Sequence, residues 1–237
     1  MAGGPRRAQG DEGEGKGAER PYHHGNLRKA LLDAALALLD EQGVEALSLR
    51  EVARRAGVSH AAPYRHFEDK DALVAAVAEV SFDELTATMR ARMAPFEEGS
   101  VESLLASGHG YVEYAVTRPS RFRVVFGPVL SGLAGTVDAR RRHPALWAAG
   151  DRCYGVMLGA VTAAQARGLV REGDSRPLAH VAWSTVHGLS SLLLDGQLGI
   201  PLSDRPAIET IAATTLRMLF EGMSRASAEA AAKTSRP

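Results

Sequence analysis

Apolar residues recur at intervals of three and four along most of the chain, a spacing that predicts α-helices. The first apolar stripe begins at Leu27 and continues to Leu38. Asn26 stands where a helix N-cap is expected and Gly43 where the helix should end, so the segment predicts a helix of about four turns. No stretch shows sustained alternation with a period of two, which predicts an all-α fold.

The next two segments form a pair of short helices. Ser48 and Glu51 have the spacing of a capping box, and Gly57 ends the apolar stripe that follows them. If Ser59 caps a third helix, Pro63 falls at the end of its first turn, where few backbone N–H groups have an intrahelical partner. Two short helices joined by a glycine-containing turn are typical of a helix-turn-helix that enters the DNA major groove.

The spacing of residues in the third segment predicts which side chains are available to a partner. Pro63 and Phe67 are four residues apart and should both face the core, whereas Ala61 and Arg65 should face outward. The proline removes a donor, but this costs only about one hydrogen bond, about 1 kcal/mol. Arg54 and Arg55 on the second helix are expected to be ordinary solvated residues.

Longer helices follow this first domain. Asp69 can cap a connector helix that runs from Lys70 to Pro95 and enters a second domain. Apolar spacing predicts further helices over 101–117, through 122 and 126, over about 144–167, over 177–198 and over 204–224. The last two have apolar residues on more than one face, so each needs more than one neighbour. A homodimer that packs them into a four-helix bundle would bury the excess.

Composition sets limits on the function. The 237 residues are 45% hydrophobic and carry no net formal charge, so nucleic-acid binding would have to rest on a local basic surface. No apolar run approaches the length of a membrane helix. The single cysteine, Cys153, cannot form an internal disulfide and suits a cytoplasmic location. Predicted domains are a disordered tail at 1–21, a helix-turn-helix at 22–72, a second domain at 73–224 and a disordered tail at 225–237.

The stretch LSLREVARRAGVSHAAPYRHFEDKDAL, with the lead-in YHHGNLRKALLDAALALLDEQG, resembles the N-terminal DNA-binding domain of TetR-family transcriptional regulators. Its most specific part is the Tyr-x-His-Phe-x-x-Lys ending formed by 64–70. Pro63 stands where the family usually has leucine, and Ala61 where it commonly has glycine or proline.

This resemblance implies two sets of DNA contacts. The expected phosphate contacts come from Ser48, Tyr64, His66 and Lys70, and the expected groove contacts from Arg50, His60, Ala61, Ala62 and Arg65. The chemistry agrees with the division, because hydroxyl, imidazole and ammonium groups bind phosphate oxygens, whereas arginine can fork onto guanine and alanine methyls can contact thymine.

In the second domain, aromatic and methionine side chains mark a candidate ligand pocket. Its expected residues are Tyr111, Tyr114, Phe122, Phe126, Trp147, Tyr154, Met157, Trp183 and His187. Such a stripe is more often solid core than pocket. The resemblance, however, implies an effector cavity within the middle helices and dimerisation through the last two. The segment WSTVHG is also similar to the Trp-x-x-x-His-Gly signature of one C-terminal subgroup. An apolar cavity would suit a small apolar or aromatic effector.

The predicted function is that of a dimeric, ligand-responsive transcriptional regulator that binds double-stranded pseudo-palindromic operator DNA without a cofactor. The resemblance implies that it is a repressor. An architectural DNA-binding protein that needs no effector is one alternative. An all-α enzyme is the other: His180 and His187 lie two turns apart and could begin a metal site. No Cys, Asp or Glu stands at ligand spacing beside them. The sequence also has no Gly-x-Ser-x-Gly elbow, no zinc-binding His-Glu-x-x-His and no dinucleotide fingerprint.

Overall fold

A computed structural model describes residues 27–128, 130, 132, 138–225 and 227, and this part of the chain is almost entirely helical. Its α-helices confirm the all-α prediction: α1 Leu27–Gln42, α2 Leu49–Arg55, α3 Lys70–Met93, α4 Val101–Thr117, α5 Pro119–Phe126, α6 Ala139–Arg142, α7 Pro144–Ala166, α8 Ser175–Leu194 and α9 Arg205–Met223. The predicted tails at 1–21 and 225–237, and Asn26, lie outside the described residues except for Arg225 and Ser227.

The helix-turn-helix begins where the capping residues predict. The Ser48 hydroxyl oxygen accepts a hydrogen bond from the Glu51 backbone N–H at 3.1 Å, which fixes the start of α2. Gly57, at φ +68°, makes the turn that follows α2, in a left-handed conformation that other residues rarely adopt.

The segment after the turn is shorter and tighter than the α-helix predicted to begin at Ser59. It forms only a 3₁₀-helix over Pro63–Arg65. Because Pro63 has no N–H, it cannot bond the Ser59 carbonyl, which instead accepts from Ala62 at 2.9 Å. The predicted directions hold, since Pro63 and Phe67 are buried while Arg65 is exposed.

Helix α3 connects the two halves of the molecule. The Asp69 side chain caps it by accepting from the Ala72 N–H at 2.8 Å. Its first half, including Leu73 and Val77, packs with α1 and α2, whereas Leu85 and Met89 join the core of the second domain. In that core, α3 and α4 approach so closely that a Cβ on Gly110 would lie 2.7 Å from the Met89 Cα.

Helix α4 is central to the second domain, because it contacts α3, α5, α7, α8 and α9. Helix α8 ends at Leu194 and not at 198, because Gly196 takes a positive φ of 68° and donates its N–H back to the Leu193 carbonyl. Within the described ranges, no helix is long and apolar enough to cross a membrane.

Candidate nucleic-acid surface and apolar cavity

Three basic side chains of the helix-turn-helix are exposed and form no ion pair with a carboxylate of the described residues. Arg50 lies on α2, Arg65 on the 3₁₀-helix and Lys70 at the start of α3. No ion pair joins any of them to a carboxylate in the part of the chain that the structure describes. A cation without a fixed partner is free to bind an anion such as a phosphate.

The two neighbouring arginines are different, because internal carboxylates hold both. Arg54 forms an ion pair with Glu51, and Arg55 pairs with Glu41 on α1. Hydrogen bonding to these arginines lowers the pKa of both glutamates. These pairs give Arg54 and Arg55 an intramolecular role that the sequence pattern did not show.

The remaining residues predicted to contact DNA lie in the same segment as these three cations. Tyr64 is 61% exposed, although it is a large aromatic residue. Ser48 uses its oxygen to cap α2, so its hydroxyl hydrogen remains available to donate. Exposed or half-exposed positions are occupied by His60, Ala61, Ala62 and His66. All nine predicted residues thus lie within one short segment, 48–70, and are at least partly exposed, although Ala62 also packs against the core.

The second domain contains an apolar cavity of about 560 Å³. Six of the nine predicted pocket residues line it: Tyr111, Phe126, Trp147, Tyr154, Met157 and Trp183. The sequence analysis did not predict the other lining residues, which are Phe82, Met89, Val125, Leu130, Arg140, Leu146, Gly150, Asp151, Cys153 and His180. This volume lies within the range of about 300–1,000 Å³ that is usual for small-molecule sites.

The other three predicted residues, Tyr114, Phe122 and His187, are not among the residues that line the cavity. Tyr114 is buried and donates to the Glu84 carboxylate at 3.2 Å. Phe122 stacks on His187, with ring centroids 5.6 Å apart. Phe122 and His187 both contact Tyr111 and Phe126, two of the residues that line the cavity.

A hydrogen-bonded chain fixes one side of the cavity. Trp183 donates its indole N–H to the Tyr111 oxygen at 3.2 Å. The Tyr111 oxygen lies 2.9 Å from His187 Nδ1. Because the indole can only donate, the Tyr111 hydroxyl hydrogen is free for Nδ1, and the proton of the neutral imidazole belongs on Nε2. Burial lowers the pKa of His187 and raises that of Tyr111, which favours neutral forms of both.

Two polar groups in the cavity wall are unsatisfied. The Trp147 indole N–H and the Tyr154 hydroxyl are buried and have no hydrogen-bond partner among the described residues. Buried polar groups normally have one. Near the first, the Arg140 guanidinium carbon lies 4.7 Å from the Trp147 ring centroid. The Cys153 thiol also lines the wall, and burial raises its pKa to about 11, so it remains protonated.

An ion-pair network joins the helix-turn-helix to the cavity. Arg121 on α5 donates to both Asp40 oxygens on α1, the shortest contact being 2.7 Å, and also pairs with Glu84 on α3. Val125 and Phe126, on the same short helix, line the cavity. The sequence analysis missed this network, because no pattern relates residues so distant along the chain.

The arrangement does not provide a metal site in the residues that the structure describes: no three His, Cys, Asp or Glu side chains cluster there. His187 is bonded to Tyr111, and His180 stacks on Tyr154 with ring centroids 5.4 Å apart. An exposed helix-turn-helix attached to a helical domain is instead the arrangement expected of a DNA-binding transcription regulator.

Comparisons with known proteins identify the family. Residues 31–77 match the family model of bacterial regulatory proteins of the tetR family, and residues 104–230, more than half of the chain, match the tetracyclin repressor-like C-terminal domain. The chain therefore belongs to the TetR family, whose members are DNA-binding transcription factors and not enzymes.

Three individual proteins show how far the similarity extends. The transcriptional regulator AcrR of Shigella flexneri is 46% identical over 54 residues, a segment that spans 23% of this chain and only 25% of that protein. A Rhodococcus protein of unknown function is 33% identical, with a TM-score of 0.73 over 87% of this chain and 100% of its own. A TetR-family regulator of Marinobacter aquaeolei shares the fold, at 21% identity and a TM-score of 0.59 over 84% of this chain and 96% of its own.

Proposed function

We propose that this protein is a dimeric, sequence-specific transcriptional repressor, released from a pseudo-palindromic operator when a small apolar effector enters the cavity. The observation that carries the DNA-binding part is the contrast among the basic residues of one helix-turn-helix. Arg50, Arg65 and Lys70 lack carboxylate partners in the described part of the chain, whereas Arg54 and Arg55 are paired. The free cations are those that the family resemblance assigns to DNA contact.

The proposed dimer forms through α8 and α9. Val181 and Leu192, eleven residues apart on α8, are 52% and 44% exposed, and Met218 on α9 is 67% exposed. Isolated apolar residues are ordinary on a surface, but apolar residues three helical turns apart on one helix suit a helical partner. In the dimer, two copies of 48–70 would enter successive major grooves about 34–36 Å apart.

Effector control would pass through α5. This short helix contributes Val125 and Phe126 to the cavity wall, and its Arg121 is bonded to Asp40 of the helix-turn-helix. A ligand that displaces α5 would therefore change the position of α1 relative to the second domain. Such a ligand alters DNA affinity only if it binds one of the two arrangements more tightly. The cavity itself favours this function over an architectural DNA-binding protein, which needs no effector.

Two variants with the same loss of charge test the DNA surface. We expect Arg65→Ala with Lys70→Ala to weaken binding to the preferred duplex by at least about tenfold, because the pair supplies one base contact and one phosphate contact. The dependence of log affinity on log salt should become flatter by about 0.9, the contribution of the phosphate contact of Lys70. Arg54→Ala with Arg55→Ala should stay within about threefold of the wild type. Equal losses in the two double variants would show that only overall charge matters and would reject the proposed surface.

A further inference from the structure

One end of the cavity presents hydrogen-bond donors without acceptors. The Trp147 indole N–H is buried and unsatisfied within the described residues, and the Arg140 guanidinium lies over the same ring. Both groups can only donate hydrogen bonds. A buried donor left without a partner costs free energy, so this end of the wall is complementary to a group that accepts several hydrogen bonds.

The charges at this end favour an anionic acceptor. Arg140 makes no ion pair within the described part of the chain, and Arg141 and Arg142 follow it on α6, both exposed. Asp151 also lines the cavity and Asp138 lies just before α6, but neither is within ion-pair distance of Arg140. Arg140 is therefore a cation of the cavity wall that no carboxylate neutralises within the described residues.

The rest of the cavity wall is complementary to a ligand that is flat and apolar. Phe82, Tyr111, Phe126 and Trp183 contribute aromatic rings to it, with Met157 beside them. Aromatic rings interact favourably with one another in stacked and edge-to-face arrangements. His180 also lines the wall and stacks on Tyr154. Tyr154 lies seven residues from Trp147, about 10 Å along α7. These two residues therefore belong to the opposite end of the cavity.

We propose that the cavity binds an aromatic molecule carrying one carboxylate, and that Arg140 and Trp147 recognise this carboxylate. A carboxylate accepts through two oxygens, so one oxygen can take the indole N–H while the guanidinium binds in a charge-assisted, forked arrangement. This inference rests on the proposed function, since it names the chemical class of the effector, and it adds two residues that determine specificity.

Calorimetric titration of the full chain with three probes of one shape tests the inference: 2-naphthoate, 2-acetylnaphthalene and 2-ethylnaphthalene. They offer, respectively, a carboxylate, a neutral acceptor and no acceptor. We expect 2-naphthoate to bind at least about tenfold more tightly than 2-acetylnaphthalene, because hydrogen bonds to charged groups are roughly twice as strong as neutral ones. 2-Ethylnaphthalene should bind most weakly.

Matched variants locate the recognition. Arg140→Gln should lower the affinity for 2-naphthoate by at least about tenfold and leave the affinity for 2-ethylnaphthalene unchanged. Arg141→Gln makes the same charge change outside the cavity wall and should retain 2-naphthoate binding. Trp147→Phe keeps the ring, removes the N–H and should weaken 2-naphthoate by about three- to tenfold. Unchanged thermal melting of the variants without ligand would exclude misfolding as the cause.

The outcomes separate this inference from the function on which it rests. If the three probes bind with equal affinity, or if Arg140→Gln and Arg141→Gln reduce the affinity for 2-naphthoate equally, the effector is not recognised by its carboxylate. The proposed apolar effector site would still stand. If none of the probes binds up to its solubility limit, both the carboxylate class and the cavity as an effector site are overturned.

Discussion

The DNA-binding surface and the cavity differ in how the chain builds them. The surface comes from one continuous segment, 48–70, whose side chains point outward from short helices. The cavity collects residues of α3, α4, α5, α6, α7 and α8, from Phe82 to Trp183. One site thus depends on local spacing and the other on how distant helices pack. Mutations should therefore separate the two functions, except where Arg121 connects them.

The largest expected effect comes from two variants of the DNA-binding surface, one that removes a base contact and one that removes a phosphate contact. Arg65→Ala should cost about 1–3 kcal/mol on the preferred duplex and little on random DNA, because it removes a base contact. Lys70→Ala should instead weaken all duplexes alike and reduce the salt slope by about one unit. Fluorescence anisotropy titrations of both variants on both duplexes make the comparison. Loss of the same size on specific and random DNA in both variants would contradict the division.

A cavity-filling change should break ligand binding while DNA binding remains. A Cβ on Gly150 would lie 3.6 Å from the Phe82 ring, an ordinary contact, so Gly150→Phe can place its ring in the hollow. We expect affinity for any cavity ligand to fall at least about tenfold, since the ligand must compete with that ring. The control is Gly155→Phe, on the same helix but with open space around the Cβ. Equal ligand affinity in the two variants would place the binding site elsewhere.

Removing the connection between the regions should uncouple them. Arg121→Met eliminates the ion pairs with Asp40 and Glu84. In this variant, the factor by which a ligand reduces operator affinity should be at least about fivefold smaller than in the wild type. The affinity for the ligand itself should change little. Arg152→Met is the control, because it breaks a pair with Asp83 that does not reach the helix-turn-helix. Operator titrations with and without ligand measure the effect, and undiminished coupling in Arg121→Met would assign it to other contacts.

The smallest effect concerns the pH dependence of stability. Burial lowers the pKa of His187 in the folded protein. As the pH falls, the imidazole of His187 is therefore protonated in the unfolded chain at a higher pH than in the folded chain. Stability should therefore decrease as the pH falls through about 6.5, the ordinary pKa of histidine. His187→Gln should make melting temperature less dependent on pH, whereas His180→Gln, at an exposed position, serves as a control. His109, also buried with a lowered pKa, keeps part of the dependence in all variants.

The sequence predicted the all-α class and most helix boundaries, because caps such as Ser48 and Asp69 and stops such as Gly57 act locally. It overestimated the element after the turn, where the missing N–H of Pro63 limits the chain to a 3₁₀-helix. The aromatic residues around the cavity were visible as a stripe, but the role of Arg140 and the bond between Arg121 and Asp40 depend on contacts between distant helices. Periodicity carries no information about such contacts.

Selection of binding sites from a random duplex pool with the purified protein tests the central claim most directly. The proposed function predicts a two-fold symmetric consensus with half-sites about one helical turn apart, bound far more tightly than random DNA. Failure to enrich any sequence, with only weak and salt-sensitive binding, would contradict it and leave 48–70 as a non-specific DNA-binding surface.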